Sequence, residues 1–151
     1  MSPRKLPPRW FVRSAWVAHR ALTRVTADRV GLARPTPGGR FGILRLHTVG
    51  RRSGRARAVL LGYIDDGDRF VTLAMNGWAQ ADPAWWLNLR FRPEATVDLV
   101  GQSSPVIAAA ATGADRERLW AALHEYAGYG DLDAFAATRG RETAVVVLTP
   151  R

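Results

Sequence analysis

The chain contains no cysteine, which excludes disulfides, thiolate metal sites and thiol nucleophiles. Histidine is scarce: His19, His47 and His124 stand far apart, without HxxxH spacing, so a histidine-rich metal site is not expected. No apolar run reaches the roughly 18 residues that a membrane-crossing helix needs. A secretory signal is not read either. The basic start (Arg4, Lys5, Arg9, Arg13) is followed by an apolar stretch that Arg13, His19 and Arg20 interrupt. A reducing cytoplasm is the default compartment. There is no internal repeat and no long linker. Lysine is almost missing: of 22 basic residues, 21 are arginine. The planar guanidinium fork suits bidentate phosphate contact, although codon bias explains the preference equally well.

Of the 151 residues, 47% are apolar, enough for one domain with its own core spanning 1–151. Charge is unevenly placed. Residues 1–57 hold 14 of the basic residues against one acid, Asp28, a net of +13; residues 58–151 hold 8 against 12 acids, a net of −4. An anionic partner is therefore expected at the N-terminal third. A phosphorylated cofactor, nucleic acid and an acidic membrane surface are the three candidates.

Residues 2–8 read as a loose lead-in, and 10–30 as a helix with Trp10, Val17, Ala21 and Val25 on one face. That helix either packs over the rest of the domain, the preferred reading, or makes a peripheral contact with an acidic membrane. After a Gly/Pro-rich loop at 31–40 the period changes to that of strands. Strands are expected at 41–48, 56–64 and 69–75, with a tight turn at 65–68 making 56–75 a hairpin. Asp82 is expected to cap a short helix over 83–91, with Pro83 in its first turn. Strands follow at 94–100 and 105–112. Thr112 and Asp115 resemble a capping box for a helix over 113–126, and 143–149 is a closing strand. Paired strands with interspersed helices imply an α+β domain built on a mainly antiparallel sheet or small barrel.

Three segments carry chemistry. In His47–Arg57, Gly50 and Gly54 let the backbone turn sharply, and successive N–H groups in such a turn form an anion-binding nest. Thr48 and Ser53 add hydroxyls, and Arg51, Arg52, Arg55 and Arg57 add charge. From chemistry alone this is either the wall of a phosphate site or a solvated basic hairpin tip. In 76–89, Asn76 and Gly77 follow a strand end. Trp85 and Trp86 point in different directions, so one can line a cleft while the other packs. Asn88, polar within an apolar helix, needs a partner. In 126–141, Tyr126 and Tyr129 lie in a glycine-bearing loop expected to be mobile. They are either proton donors to a substrate or packing residues.

Together these segments resemble the deazaflavin-dependent nitroreductase family, enzymes that use coenzyme F420. The family pattern is T-T-G-R-K-S-G-x-x-R, then N-G-G-x-x-x-x-P-x-W-Y-x-N-L, then a T-x-R-E-x-P-V-V-x-L-T-P ending. Thr48, Gly50, Arg51, Ser53, Gly54 and Arg57 match the first motif, with Arg52 for lysine. Asn76, Gly77, Pro83, Trp85, Asn88 and Leu89 match the second, and Arg141–Pro150 the third, with Ala144 for proline. The match covers roughly residues 40–151.

The resemblance implies a split β-barrel like that of FMN-binding proteins, holding F420 in preference to FMN. Its phosphate and acidic tail would be held by Thr48, Gly50, Arg51, Arg52, Ser53 and Arg57. Its ring would lie by Met75, Asn76, Gly77, Trp85 and Asn88. Hydride would pass to a quinone, an activated alkene or a nitro acceptor, with Tyr126 or Tyr129 protonating or positioning it. This chain departs from the pattern at Ala81, where the family often has a phosphate-touching lysine that Arg55 would replace, and at Phe135, where a third tyrosine usually stands. The alternative on the same fold is a non-catalytic binding protein for a flavin, a tetrapyrrole or a lipid. Specific nucleic-acid binding is not expected, since no recognition helix or RNP-type motif is present.

Overall fold

The computed structural model describes residues 31–151. The expected lead-in at 1–8 and helix at 10–30 lie outside the described residues. Residues 32–151 form one compact unit. Along it run β1 (Gly42–Val49), β2 (Ala56–Asp66), β3 (Arg69–Leu73), a single turn at Asn76–Trp78, α1 (Ala84–Phe91), β4 (Glu94–Leu99), β5 (Gln102–Ala110), α2 (Gly113–His124), α3 (Leu132–Thr138) and β6 (Val145–Pro150). The strands close a barrel in the order β1-β2-β3-β6-β5-β4, and every neighbouring pair is antiparallel. The architecture is the α+β split barrel.

Alternation on the strands builds the interior. Leu44 and Leu46 of β1, Val97 and Leu99 of β4, Val106 and Ala108 of β5, and Val146 and Leu148 of β6 join Trp85, Trp86 and Leu89 of α1 in the barrel core. A second core forms on the outer face of β3 and β6. There Val71, Leu73, Val145 and Val147 meet Leu119 and Leu123 of α2 and Leu132 of α3. The run Val145–Leu148 is thus buried on both faces, as its unbroken apolar pattern requires.

The barrel parts on one side. β2 pairs with β1 along eight residues, Ala56 to Tyr63. It meets β3 at only three, Ile64, Asp65 and Asp66. Beyond that the Thr72 hydroxyl still donates to the Gly62 carbonyl, at 2.7 Å, and then the strands diverge. Among the described residues the first half of β2 is paired on one edge only, and a cleft forms along the other.

Several local expectations are corrected. β5 begins at Gln102, after a two-residue turn through Val100 and Gly101 (φ +79°), and so includes the polar stretch 102–104 that composition assigns to a loop. Asp82 does not cap α1; Pro83 holds that position and no side chain caps it. Thr112 sits at the start of α2 without a capping bond, and Asp115 pairs with Arg118 instead. α3 was not expected. Asp131 starts it by accepting from the Ala134 N–H at 3.1 Å. The stretch before it is anchored, not loose: the Ala127 N–H donates to the Gly39 carbonyl at 2.7 Å, and the Tyr129 ring lies 4.5 Å from that of Phe41.

A charge cluster fastens the β2–β3 hairpin to α2. Arg118 donates two bonds to the Asp66 carboxylate, at 2.8 and 3.0 Å, and one to Asp115 at 2.7 Å, while Arg69 also bonds Asp66. The Arg118 guanidinium, with Arg69 beside it, holds the Asp66 carboxyl well below the usual carboxylate range, against the opposing effect of burial. A depressed folded-state value stabilises the fold above the unfolded-state value, about 3.9, and that stability is lost as pH falls below it. Asp66→Asn should therefore be less stable than wild type at pH 7, with the gap narrowing steadily below about pH 4. Urea denaturation of both proteins across pH checks this; parallel curves would remove the carboxylate from the account.

Candidate active site

The segment between β1 and β2 folds back on itself. The Gly50 N–H donates to the Arg55 carbonyl and the Gly54 N–H to the Gly50 carbonyl, both at 2.8 Å. Gly54 has φ +67°, a conformation that favours glycine. A Cβ on Gly50 would stand 2.7 Å from the Ser53 hydroxyl and would push that hydroxyl out of its place in the cradle. The turn is docked, not a free tip. Buried Asn88 of α1 accepts with its Oδ1 from the Arg51 N–H at 3.1 Å and from Arg51 Nη1 at 3.2 Å. Its Nδ2 donates to Thr48 Oγ1 at 3.4 Å. The partner that an asparagine in an apolar helix requires is therefore the arginine turn itself.

A cavity of about 570 Å³ opens beside this cradle. Thr48, Gly50, Arg51, Arg52, Ser53 and Arg57 form one side, and Asn76, Pro83, Ala84, Trp85 and Asn88 the other. Among the described residues, no carboxylate comes within ion-pair distance of Arg51, Arg52, Arg55 or Arg57. Crowded like charges without counter-charge raise the local potential and favour an anion. Neither Arg55 nor Ala81 is among the residues lining the two cavities beside the cradle.

A second cavity, of about 240 Å³, shares Val59, Asn76, Pro83 and Trp85 with the first and continues along the open edge of β2 to Met75, Gly77 and Tyr129. The two form one cleft, cationic at one end and apolar at the other. Its far wall is strained. Asn76, Gly77 and Trp78 have φ of 48°, 61° and 67°. Asparagine tolerates this region, but a tryptophan there costs about 1–3 kcal/mol and persists only where its surroundings hold it. The Trp78 ring stacks on Phe135 at 5.8 Å, and the Asn76 amide donates to the Ala81 carbonyl at 3.0 Å.

The tyrosines separate. Tyr129 lines the smaller cavity, and its buried hydroxyl has no hydrogen-bond partner among the described residues. Burial, with Tyr126 nearby, pushes its pKa well above the ordinary phenol value. At neutral pH it is a neutral O–H donor. Tyr126 is half-buried, packs against the second core and lines neither cavity. Trp85 faces the cleft while its neighbour Trp86 fills the barrel. Sequence reasoning missed Val59 and Leu61 as walls, since nothing sets them apart from other strand residues until β2 loses its neighbour.

Asn88→Ala should destabilise the fold by about 1–3 kcal/mol, because the Arg51 N–H and Thr48 hydroxyl lose their partner. Urea denaturation checks this, and an unchanged midpoint would mean that the turn docks by other means.

A family model described as F420H(2)-dependent quinone reductase matches residues 18–150. An F420H(2)-dependent quinone reductase of Mycobacterium tuberculosis is 30% identical over 149 residues, covering 95% of this chain and 97% of the relative. Among solved structures, an F420-H2 dependent reductase superposes with a TM-score of 0.65 at 24% identity, covering 78% of this chain and 96% of that one, which shows the shared fold. A chain described as a domain-swapped dimer superposes with a TM-score of 0.66 at 25% identity, covering 94% of this chain and 99% of that one. The chain belongs to the F420H(2)-dependent quinone reductase family.

Proposed function

We propose that the two-ended cleft is the F420 site of this oxidoreductase and that a quinone is reduced at its apolar end. The carrying observation is the continuity of the arginine cradle with the slot beside Trp85. The residues fit such a molecule. The cradle combines a Cβ-free approach at Gly50, two hydroxyls and carboxylate-free arginines for a phosphate and acidic tail. The slot combines Trp85, Pro83, Val59 and Met75 for a flat ring.

When bound, reduced F420 supplies a hydride to an acceptor such as a quinone, an activated alkene or a nitro compound. The protein's part is to hold and orient. Arg51 is aimed by Asn88, so its guanidinium is preorganised for an anion. Trp85 and Pro83, shared by both cavities, give the ring end an apolar wall. Tyr129 carries a neutral, buried hydroxyl without a hydrogen-bond partner among the described residues; a side-chain rotation that brought it into the cleft would let it donate to an acceptor oxygen as negative charge develops there. Phe135 in place of a tyrosine leaves Tyr129 as the phenol donor among the described residues that line the cleft.

Arg51→Ala and Arg57→Ala should each weaken F420 binding by about 1.5–3 kcal/mol, as for charge-assisted hydrogen bonds. Fluorescence titration measures this, and equal affinity in all three proteins would move the phosphate site elsewhere. Tyr129→Phe should lower menadione turnover more than it changes F420 affinity, and Tyr126→Phe should change turnover less. Unchanged turnover in Tyr129→Phe would make it a packing residue. Absence of any turnover of reduced F420 would favour a binding protein. For residues 10–30, sedimentation with anionic liposomes that leaves all the protein in the supernatant would exclude the peripheral membrane contact.

A further inference from the structure

One arginine outside the cleft is bonded by its whole fork. Arg139 follows α3, and its side chain is completely buried. Its Nε donates to the Ala79 carbonyl at 2.7 Å. Its Nη1 donates to the Ala74 carbonyl at 3.1 Å and to Thr143 Oγ1 at 2.9 Å. Its Nη2 donates to Asp82 Oδ1 at 2.9 Å and reaches the Ala81 and Gln80 carbonyls at 3.3 and 3.4 Å. Every N–H of the fork is used, and all partners but Thr143 belong to residues 74–82.

That stretch joins the end of β3 to the start of α1 and carries Asn76–Trp78, the strained wall of the cleft. It has little support of its own: Ala74 bonds Ala144, and Trp78 and Ala79 bond back to Met75 and Asn76. A buried guanidinium is costly unless its geometry is well satisfied. Arg139 is ion-paired with Asp82 and otherwise bonded almost wholly to one loop, so that loop is what it fixes. Five residues of that loop, Ala74 and Ala79 to Asp82, converge on one planar group, which ties both ends of the segment carrying Met75, Asn76 and Gly77 to one point.

We propose that Arg139 is a positioning residue for hydride transfer: it holds residues 74–82 in the conformation that shapes the ring end of the cleft, without touching the cleft itself. This rests on the F420 reading of that cleft. Lysine at this position keeps the charge but cannot span the carbonyls of 74 and 79–81 together.

The test compares Arg139→Lys, Thr143→Val and wild type, all assayed well below their melting temperatures. Amide exchange at 75–82 should accelerate in Arg139→Lys while exchange in β1, β5 and β6 stays as in wild type. Its turnover with menadione should fall about tenfold to a hundredfold, the scale of a small misplacement of reacting groups. Pyrophosphate, chosen as a probe of the arginine cradle, should raise the melting temperature of wild type and Arg139→Lys equally, and a smaller rise in Arg139→Lys would overturn a role confined to the ring end. Thr143→Val, which removes one acceptor and leaves the fork on the loop, should fall between the two. Unchanged local exchange with unchanged turnover in folded Arg139→Lys overturns the proposal, as does acceleration spread evenly over the barrel. If Arg139→Lys does not fold, a graded loss of turnover in Thr143→Val supports the proposal, and wild-type turnover there overturns it. Failure of wild type to bind or oxidise reduced F420 would instead strike the cofactor reading, while the exchange arm would still decide what Arg139 holds.

Discussion

The parting of β2 from β3 after three residue pairs is the constraint on which the site depends. A fully paired barrel would bury the edge of β2 and leave no cleft. Here the Thr72 hydroxyl makes the last link, to Gly62, and the chain then leaves β3 for the turn at Asn76–Trp78. The gap is walled on one side by the first half of β2 and on the other by that turn and α1. The Arg51 cradle lies at one end and Tyr129 at the other. Both ends are therefore consequences of one early divergence, and their spacing follows from the length of β2 between them.

Arginine does two jobs in this molecule, and what separates them is the reach of a carboxylate. Arg69 and Arg118 meet Asp66 and Asp115 and bind the hairpin to α2. Arg139 and Arg141 meet Asp82 at the start of α1. These are structural cations, neutralised where they stand. Arg51, Arg52 and Arg57 have no such partner among the described residues and gather around the larger cavity. The neutral Asn88 aims Arg51 without neutralising it. A site for an anion needs donors that are held but not satisfied, and this is how the chain supplies them.

The two departures from the family pattern have local counterparts. Where a lysine often stands, the Ala81 carbonyl is taken by the Asn76 amide and by Arg139, so that part of the loop serves its own shape. Phe135 stacks on Trp78 and supports a residue held at positive φ. An aromatic face does this; a phenol hydroxyl there would add nothing to the stack.

Features set by neighbouring residues were legible without coordinates. The strand and helix periods, the Gly50–Gly54 turn with its arginines, and the series Pro83, Trp85, Asn88 on one short helix all depend on local spacing, and the structure keeps them. What depends on closure of the barrel was not. Asp82 reads as a helix cap because capping is local, yet its carboxylate goes to an arginine 57 residues later. Tyr126 and Tyr129 are equivalent in sequence, and only packing against Phe41 and the β2 edge brings one of them to the cleft. Local composition constrains backbone preference, whereas the partner of a buried donor is chosen by which distant segments the closed barrel brings within 3 Å or so of it.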